Sequence, residues 1–310
     1  MTRIAYLASA GTLPGSPARR DDAFEHDLTV AALRPAFAAA GLELAEIDWR
    51  APFETFDGFA AALIGTPWDY HDHEREFRDR LFQLEASGLP VFNDLHVVAW
   101  NSDKRYLKEL ARSGVPTIPT LWHPAPDRAA VMDALDQFAA NSVVVKRQIG
   151  AGAEGQYRFS RDDLPHDGWR MDYAAMIQPF IPSIVEEGEL TFVFIDGAFS
   201  HGVRKTATEG EYRIQSIYGG QEAILVPSPS ELKQAEAVVA ALPFPAPLYA
   251  RIDMIRLPDD RLAVMEAEMI EPYLYPQQGP DLGEKLASGI LSRLAQPLHS
   301  RRSSADLRTS

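Results

Sequence analysis

Four charged residues with alternating spacing lie close together in the last quarter of the chain. Arg251 and Asp253 stand two residues apart in one apolar run, and Glu266 and Glu268 stand two apart in the next. The four residues between the runs, 258–261, include one proline and two aspartates, which favour a tight turn. The pattern therefore predicts a β-hairpin, with each pair of charged side chains on one face of its strand.

A four-residue loop would set Asp253 opposite Glu266 and Arg251 opposite Glu268. Three carboxylates on one patch of sheet repel one another unless a cation neutralises them. Oxygen ligands suit Mg²⁺, with Mn²⁺ as an alternative. The hairpin thus predicts a divalent metal site formed by Asp253, Glu266 and Glu268. The alternative is an ordinary sheet whose acidic residues face solvent.

A glycine-rich loop follows an apolar strand-like run that ends in Lys146. Glycine lets backbone N–H groups approach phosphate oxygens, and a lysine supplies positive charge. The loop lacks the Gly-Lys-Ser/Thr ending of a Walker A motif and the helix spacing of a dinucleotide fingerprint. It is therefore interpreted as a different kind of phosphate loop, with a structural turn as the alternative; its glycines are Gly150, Gly152 and Gly155.

The next segment is typical of a hinge whose backbone could recognise the edge of an adenine. Gln178, Phe180 and Ile181 lie in it, and acidic residues for a ribose follow at Glu186, Glu187 or Glu189. The sequence leaves the choice among these three open.

Two basic residues lie on the successive predicted strands that come next, Lys205 and Arg213. Adjacent residues on a strand face opposite ways, so only one of Arg204 and Lys205 can reach a shared site. Lysine is scarce in this chain, so we favour Lys205.

The elements that must hold these residues fall into two groups. The chain up to residue 98 has the order β-α-β-β-α-β, which predicts a small parallel α/β domain with ligand loops at the carboxyl ends of its strands. Trp68, Asp69 and Tyr70 follow its third strand. The predicted strands are Ile4–Ala8, Leu42–Ile47, Phe59–Ile64 and Val91–Phe92, and the predicted helices are Asp22–Ala40, interrupted at Pro35, and Glu74–Ser87.

The rest of the chain is predicted to mix helices with hairpin-connected strands. The sequence indicates helices at Ser102–Arg112, Asp127–Ala140, Ser230–Leu242 and Leu282–Leu294, and strands at Ser142–Lys146, Met176–Gln178, Leu190–Ile195, Ala198–Lys205 and Glu211–Ile217. We expect a polar, disordered tail at 297–310.

Composition excludes several classes of protein. The net charge of −14 argues against nucleic acid as a partner, since phosphates require a basic surface. The absence of cysteine excludes disulfides and thiolate chemistry. No apolar run is long enough to span a bilayer, so we expect no membrane partner and a cytoplasmic location.

In chain order, these features resemble the ATP-grasp superfamily: Lys104 on a helix, Lys146 before a glycine-rich loop, a hinge, a basic strand, and Asp253 followed by Glu266 and Glu268. The resemblance covers residues 101–275. It implies an ATP-grasp fold, of mixed α/β and α+β class, that clasps ATP between two subdomains with two Mg²⁺ ions. The third metal position is commonly Asn in that superfamily, and Glu268 departs from it.

A longer resemblance takes in the amino-terminal domain. The segments WDYHDHEREF, WNSDKRYLKELARSGVPTIPT, FSHGVRKTATEGEYRIQSIYGG and MEAEMIEPYLY are similar to the glutathione-synthetase-like branch, which includes the O-ureidoserine cyclo-ligases. The resemblance implies a carboxylate–amine ligase that works through an acyl phosphate on an amino-acid-like substrate, including ring closure in natural-product biosynthesis. An intermolecular ligase of glutamate-ligase type and a non-catalytic ATP-binding regulator remain alternatives. A homodimer is also implied.

The resemblance assigns roles to further residues. Lys205, Arg213 and Arg251 would stabilise the phosphates, the acyl phosphate or the oxyanion. Trp68, Asp69 and Tyr70 match the family segment and are candidates for substrate contact, with packing as the alternative. By position alone, His201 and Gly220 are further substrate candidates; the alternatives are a structural histidine, which we favour, and a simple turn of the chain. We expect a substrate-side domain at 1–98, a lid subdomain at 99–180, a subdomain with the metal site at 181–296, and the tail.

Overall fold

A four-stranded parallel sheet forms the amino-terminal part of the computed structural model, which describes residues 1–150, 155–208 and 219–296. The strands pair in the order β2-β1-β3-β4. The predicted β-α-β-β-α-β order is confirmed. The elements are β1 (Thr2–Ala8), α1 (Phe24–Ala39), β2 (Leu42–Asp48), β3 (Ala61–Thr66), α2 (Glu74–Ala86) and β4 (Val91–Phe92).

The interruption predicted at Pro35 is wrong, because α1 continues through it. Proline removes one backbone hydrogen bond, but α1 buries Val30, Leu33 and Phe37 against the sheet, and this packing holds the helix together. The predicted end is right: Gly41 follows the helix with φ of +76°.

The helix predicted at 102–112 is shorter in the structure and is preceded by a separate helix, so Lys104, predicted on a helix, lies in the turn between the two. These are α3 (Leu95–Asn101) and α4 (Tyr106–Arg112). The Asp94 side chain starts α3 by accepting a hydrogen bond from the Val97 N–H at 3.1 Å. Ser102, predicted as the start of a helix, instead follows the end of α3.

A four-stranded antiparallel sheet comes next, in the order β5-β8-β6-β7. Its elements are β5 (Leu121–His123), α5 (Arg128–Gln137), β6 (Ser142–Arg147), β7 (Tyr157–Ser160) and β8 (Ala175–Pro179). The buried face of α5 packs on one side of this sheet, around Leu135 and Ile177.

A five-stranded antiparallel sheet completes the fold, in the order β11-β10-β9-β12-β13. The turn between β9 and β10 is formed by Asp196 and Gly197, with φ of 52° and 80°, as their sequence predicts. The elements are α6 (Ser183–Glu186), β9 (Glu189–Ile195), β10 (Ala198–Thr206), β11 (Gln221–Leu225), α7 (Pro229–Ala240), β12 (Tyr249–Arg256), β13 (Leu262–Glu268) and α8 (Leu282–Ala295).

The parallel sheet and the five-stranded sheet share one hydrophobic core, which α1 and α8 cover. Buried Asn93 joins the sheets: its amide donates to the carbonyls of Tyr249 and Met269, both at 2.8 Å, and accepts from the Leu248 N–H at 2.8 Å. This junction fixes the loops of the parallel sheet relative to the acidic hairpin.

The edge strand β13 is covered by side chains of the α3–α4 region. The Asn101 amide donates to the Ala267 carbonyl at 2.7 Å and accepts from the Met269 N–H at 2.8 Å, and the Tyr106 hydroxyl accepts from the Ala267 N–H at 3.0 Å. The open hydrogen-bonding edge is thereby satisfied within the chain.

Some predicted features lie outside the described residues. These are Gly152, Arg213, the strand Glu211–Ile217 and the tail 297–310. No helix in the described ranges combines the length and apolar character needed to cross a bilayer.

Candidate active site

The hairpin β12–β13 pairs the charged residues as predicted: Arg251 lies opposite Glu268, and Asp253 opposite Glu266. Nearer the turn the register differs by one residue from that expected for a four-residue loop. A bulge restores it, because Met265 is an extra residue on β13 between two pairs of the ladder. The bulge therefore sets the register of the carboxylates.

Asp253 is the most deeply buried of the three carboxylates, at 3% exposure. It accepts hydrogen bonds from the Thr191 hydroxyl at 2.6 Å and from the Arg251 guanidinium at 2.9 Å, and the Lys205 ammonium lies 3.4 Å away. Burial raises the pKa of Asp253, but Arg251 and Lys205 outweigh burial and hold it well below its usual range. Asp253 is thus a fixed negative charge.

Glu268 is a carboxylate with less compensation. Arg251 donates to it and also donates to the Tyr273 carbonyl at 3.2 Å. Burial raises the pKa of Glu268 to about 7, with Glu266 and Asp253 adding to the rise and Arg251 opposing it. This position therefore carries more negative charge than its protein neighbours neutralise.

The third carboxylate, Glu266, connects the hairpin to the residues that were predicted to bind phosphate. The Lys104 ammonium lies 2.9 Å from it and also donates to the carbonyl of Gly150, at the start of the glycine-rich loop. Burial lowers the pKa of Lys104, but Glu266 outweighs this effect and the pKa is raised. Burial also lowers the pKa of Lys146, although Glu266 and Glu189 oppose it.

Lys205 is buried on β10, whereas Arg204 is exposed on the opposite face. Its ammonium pairs with Glu189 as well as Asp253. Burial raises the pKa of Glu189 to about 7, and Asp253 adds to that rise. Glu189, a candidate for the ribose, thus lies in the charged cluster beside Lys205.

The other two ribose candidates are placed differently. Both oxygens of Glu187 accept hydrogen bonds from Arg256, at 2.9 and 3.1 Å, which commits this carboxylate to an ion pair. Glu186 lies exposed at the end of α6.

The predicted hinge follows β8. The Gln178 amide is buried and donates to the Thr120 hydroxyl at 2.9 Å, so that side chain already has a partner in the fold. The Phe180 N–H donates to the Ser142 carbonyl at 2.9 Å, and the Ile181 carbonyl accepts from Ile184 at 3.2 Å. These contacts fix the backbone of the hinge.

The three candidate substrate residues in the loop after β3 have different surroundings. Asp69 accepts from the Trp49 indole at 2.8 Å and from Arg50, so it stabilises its own domain. The Trp68 indole instead donates to the Glu271 carbonyl at 3.3 Å. Burial raises the pKa of Tyr70 well above its usual range, and Glu271, Glu266 and Glu268 add to the rise.

His201 has a structural role. Its Nε2 lies 2.9 Å from the Leu274 carbonyl, and its ring fills the space above Gly279, where a Cβ would lie 2.3 Å from it. Burial lowers its pKa. Gly220 lies just before β11, next to Gly219, whose φ is +81°.

Sequence reasoning missed two acidic residues near the cluster, Glu271 and Glu222. Burial raises the pKa of both, and that of Glu271 is raised well above its usual range. Glu271 belongs to the same segment as Glu266 and Glu268, three residues after the latter, and this proximity was the available signal. Glu222 lies opposite Lys205 on β11, a pairing that the sequence does not reveal.

The carboxylates match the donor set that a divalent cation requires. As the side chains lie, no three His, Asp or Glu residues in the described ranges converge as a metal site. Arg251 and Lys104 instead contact Glu268 and Glu266. The three carboxylates therefore fit a cation in ligand type and in charge. In this structure their partners are lysine and arginine side chains.

Comparisons with known proteins agree with this geometry. Residues 4–93 match the family model described as D-cycloserine synthetase DcsG, N-terminal domain. The chain is 28% identical over 284 residues to the cycloserine biosynthesis protein DcsG of Streptomyces lavendulae, covering 86% of this chain and 94% of that protein.

Three solved structures share the fold. The crystal structure of D-cycloserine synthetase DcsG superposes with a TM-score of 0.78 at 23% identity, covering 94% of this chain and 99% of that one. D-alanine–D-alanine ligase from Bacillus anthracis gives 0.65 at 18% identity, with 95% and 97% coverage. The ATP-grasp ligase PsnB, in complex with a precursor variant, Mg and ADP, gives 0.64 at 18% identity, with 94% and 99% coverage. The chain therefore has the fold of these ATP-grasp ligases and is similar to D-cycloserine synthetase.

Proposed function

We propose that this chain is an ATP- and Mg²⁺-dependent ligase that joins a carboxylate to an amine through an acyl phosphate, on an amino-acid-like substrate. The observation that carries the proposal is the junction at Glu266, where a lysine and the start of the glycine-rich loop meet the acidic hairpin. Phosphate-binding and metal-binding groups from three segments are thus adjacent.

The charges suit the first step of that reaction. A carboxylate must approach the γ-phosphate of ATP, and two anions come together only where cations offset their repulsion. Lys104 and Lys205, which are buried, and Lys146, which is partly buried, supply positive charge from three different segments, and Arg213 would add to it. ATP and Mg²⁺ supply the transferable phosphoryl group and its charge neutralisation when bound.

Arg251 has the position for the second step. Its guanidinium is buried between Asp253 and Glu268, so its charge and its orientation are fixed. A fixed cation of this kind would hold the acyl phosphate and then the oxyanion that forms when the amine attacks. Asp253, Glu266 and Glu268 would hold the metal, which would be two Mg²⁺ ions or, alternatively, Mn²⁺.

The nucleotide would lie between the four-stranded and five-stranded antiparallel sheets, with its adenine at the hinge Gln178–Ile181 and its ribose near Glu186. This arrangement rests on a division into a substrate-side domain (1–98), a lid (99–180) and a metal-site subdomain (181–296). We further propose a cytoplasmic homodimer, which sedimentation of the purified protein would test.

Ring closure within one molecule is our preferred form of the reaction, because the relative with 28% identity is a cycloserine biosynthesis protein. An intermolecular ligase is the second candidate, since the PsnB structure of similar fold contains a precursor.

The decisive experiment measures phosphate release from Mg·ATP with D- and L-amino acids and their O-substituted derivatives, singly and in pairs, while resolving ADP from AMP. ADP with a single compound, and a product lighter by one water, supports ring closure. ADP only with pairs supports the intermolecular ligase. AMP contradicts the acyl-phosphate route, and ATP binding without consumption indicates a regulatory protein.

A further inference from the structure

The carboxylate of Glu271 has no part in the handling of ATP and metal proposed above. It is partly exposed and, among the residues that the structure describes, makes no hydrogen bond or ion pair. Each of Asp253, Glu266 and Glu268 already contacts a lysine or arginine. Glu271 is therefore an acidic group at the edge of the site with no protein cation in contact, and burial and the neighbouring carboxylates raise its pKa.

The backbone that carries Glu271 is held firmly. Side chains from separate elements donate to successive carbonyls of this segment: Asn93 to Met269 at 2.8 Å, Tyr249 to Ile270 at 2.9 Å, Trp68 to Glu271 at 3.3 Å, Arg251 to Tyr273 at 3.2 Å, and His201 Nε2 lies 2.9 Å from the Leu274 carbonyl. A segment fixed in this way presents its side chain at a defined position, as ligand recognition requires.

A second polar group lies in the loop that follows β3 of the parallel sheet. Tyr70 is 5% exposed, and within the described ranges its hydroxyl has no hydrogen-bond partner. The Trp68 indole, two residues earlier in the chain, donates to the Glu271 carbonyl at 3.3 Å, so the loop that carries Tyr70 lies against the segment that carries Glu271. Glu271 is also the charged group that contributes most to the raised pKa of Tyr70, followed by Glu266 and Glu268. A ligand atom would give the phenol the partner that the described residues do not supply.

We propose that Glu271 and Tyr70 bind the cationic amino group of the substrate. The carboxylate supplies the opposite charge, and the phenol oxygen accepts one of the three N–H bonds of an ammonium group. This assignment rests on the proposed function and deepens it, because it specifies a substrate with a free, protonated amine beside the carboxylate that is activated.

The surrounding charges also orient such a substrate. Its carboxylate would be repelled by Glu271 and attracted to the Arg251 guanidinium, which lies in the same charged cluster. The ammonium group of the substrate would lie at the opposite end of the site, beside Glu271. A substrate with both groups therefore binds in one direction, whereas one with a blocked amine loses its contact with Glu271.

The test compares binding of paired probes by calorimetry: D- and L-alanine, serine and O-acetylserine, each with its N-acetyl derivative, in the presence of Mg·ADP. The wild-type protein is expected to bind at least one free amino acid about ten- to hundred-fold more tightly than its N-acetyl form, as one charged hydrogen-bonded contact implies. Glu271→Gln should remove most of that ratio by weakening only the free amine, and Tyr70→Phe should reduce it less.

Glu85→Gln is the matched control. Glu85 is a half-buried carboxylate on α2 whose pKa burial also raises, but it accepts from the Leu95 N–H at 2.8 Å, outside the charged cluster. This variant should keep the wild-type ratio.

The outcomes separate the two proposals. A wild-type protein that binds both forms equally, or neither, overturns the amine site, and so does a Glu271→Gln variant that keeps the ratio. Equal weakening of both forms in Glu271→Gln indicates a structural residue and overturns it too. ADP release is measured in parallel: discrimination by binding without any ADP formation supports the amine site and contradicts the ligase.

Discussion

The Lys104 ammonium lies 2.9 Å from the Glu266 carboxylate, so a residue assigned to phosphate contacts one assigned to the metal. In this arrangement each neutralises the other at the edge of a cluster with several acidic side chains. An incoming nucleotide and metal would supply new partners of the correct sign to both. In the proposed complex, the nucleotide phosphate and the metal would replace the partners that Lys104 and Glu266 now supply to each other.

Removing this lysine should weaken nucleotide binding. We expect Lys104→Met to raise the dissociation constant of Mg·ADP about ten- to hundred-fold, because a hydrogen bond to a charged group contributes about 1.5–3 kcal/mol. Calorimetric titration of the purified variant measures this directly. Lys233→Met, on the exposed face of α7, is the control and should bind as the wild type does. Equal affinity in the two variants would contradict the role of Lys104.

The carboxylates of the hairpin should differ in their contributions to stability. Asp253→Asn is expected to lower the free energy of unfolding by about 3 kcal/mol, because it leaves the charges of Arg251 and Lys205 buried with one counter-ion fewer. Glu268→Gln should cost less than about 1 kcal/mol, since the side chain is 25% exposed and its pKa of about 7 means that it is already partly protonated at neutral pH. Urea denaturation of both variants decides this, and equal losses would refute the distinction.

The parallel sheet leaves no room at Gly65. A Cβ there would lie 2.2 Å from the ring of Tyr6 on β1, so Gly65→Ala must displace a buried aromatic side chain. We expect a loss of about 3 kcal/mol, at the upper end of overpacking costs. Gly58→Ala is the comparison, because its surroundings are open and only its φ of +79° opposes the change, at about 1 kcal/mol. Thermal unfolding should rank the two in this order, and the reverse order would be inconsistent with the packing.

The stability of the fold should depend on pH through Glu85. Burial raises the pKa of Glu85 in the folded chain above that of the unfolded chain, so the folded state binds this proton more tightly. The charged carboxylate therefore costs stability at neutral pH, and the cost disappears as the pH falls through the folded-state pKa. We expect Glu85→Gln to melt at a higher temperature than the wild type at pH 7, with the difference shrinking toward pH 4. A difference that grows at low pH would contradict the direction of the shift.

Much of the fold follows from local sequence patterns. Alternation in the two runs around residues 258–261 predicts the hairpin, and Asp196-Gly197 predicts a turn that requires positive φ. The order of elements before residue 98 predicts a parallel sheet. These predictions succeed because the hydrophobic period and the turn chemistry are properties of neighbouring residues.

Other features depend on partners that are distant in sequence. The helix α1 continues through Pro35 because its apolar face packs on a sheet, and the bulge at Met265 depends on strand pairing rather than on loop length. Local signals give no account of either.

For the candidate site, the sequence by itself determined which residue types carry chemistry: the acidic hairpin, the scarce lysines and the glycine-rich loop. Only the tertiary structure decided which of them meet. It joined Lys104 and Gly150 to Glu266, committed Glu187 to Arg256 and Asp69 to Trp49, and set the loop that carries Tyr70 against the segment that carries Glu271. The physical reason is that hydrogen bonds and charge pairs act over a few ångströms in space, and the chain brings distant residues within that range only when it packs its core.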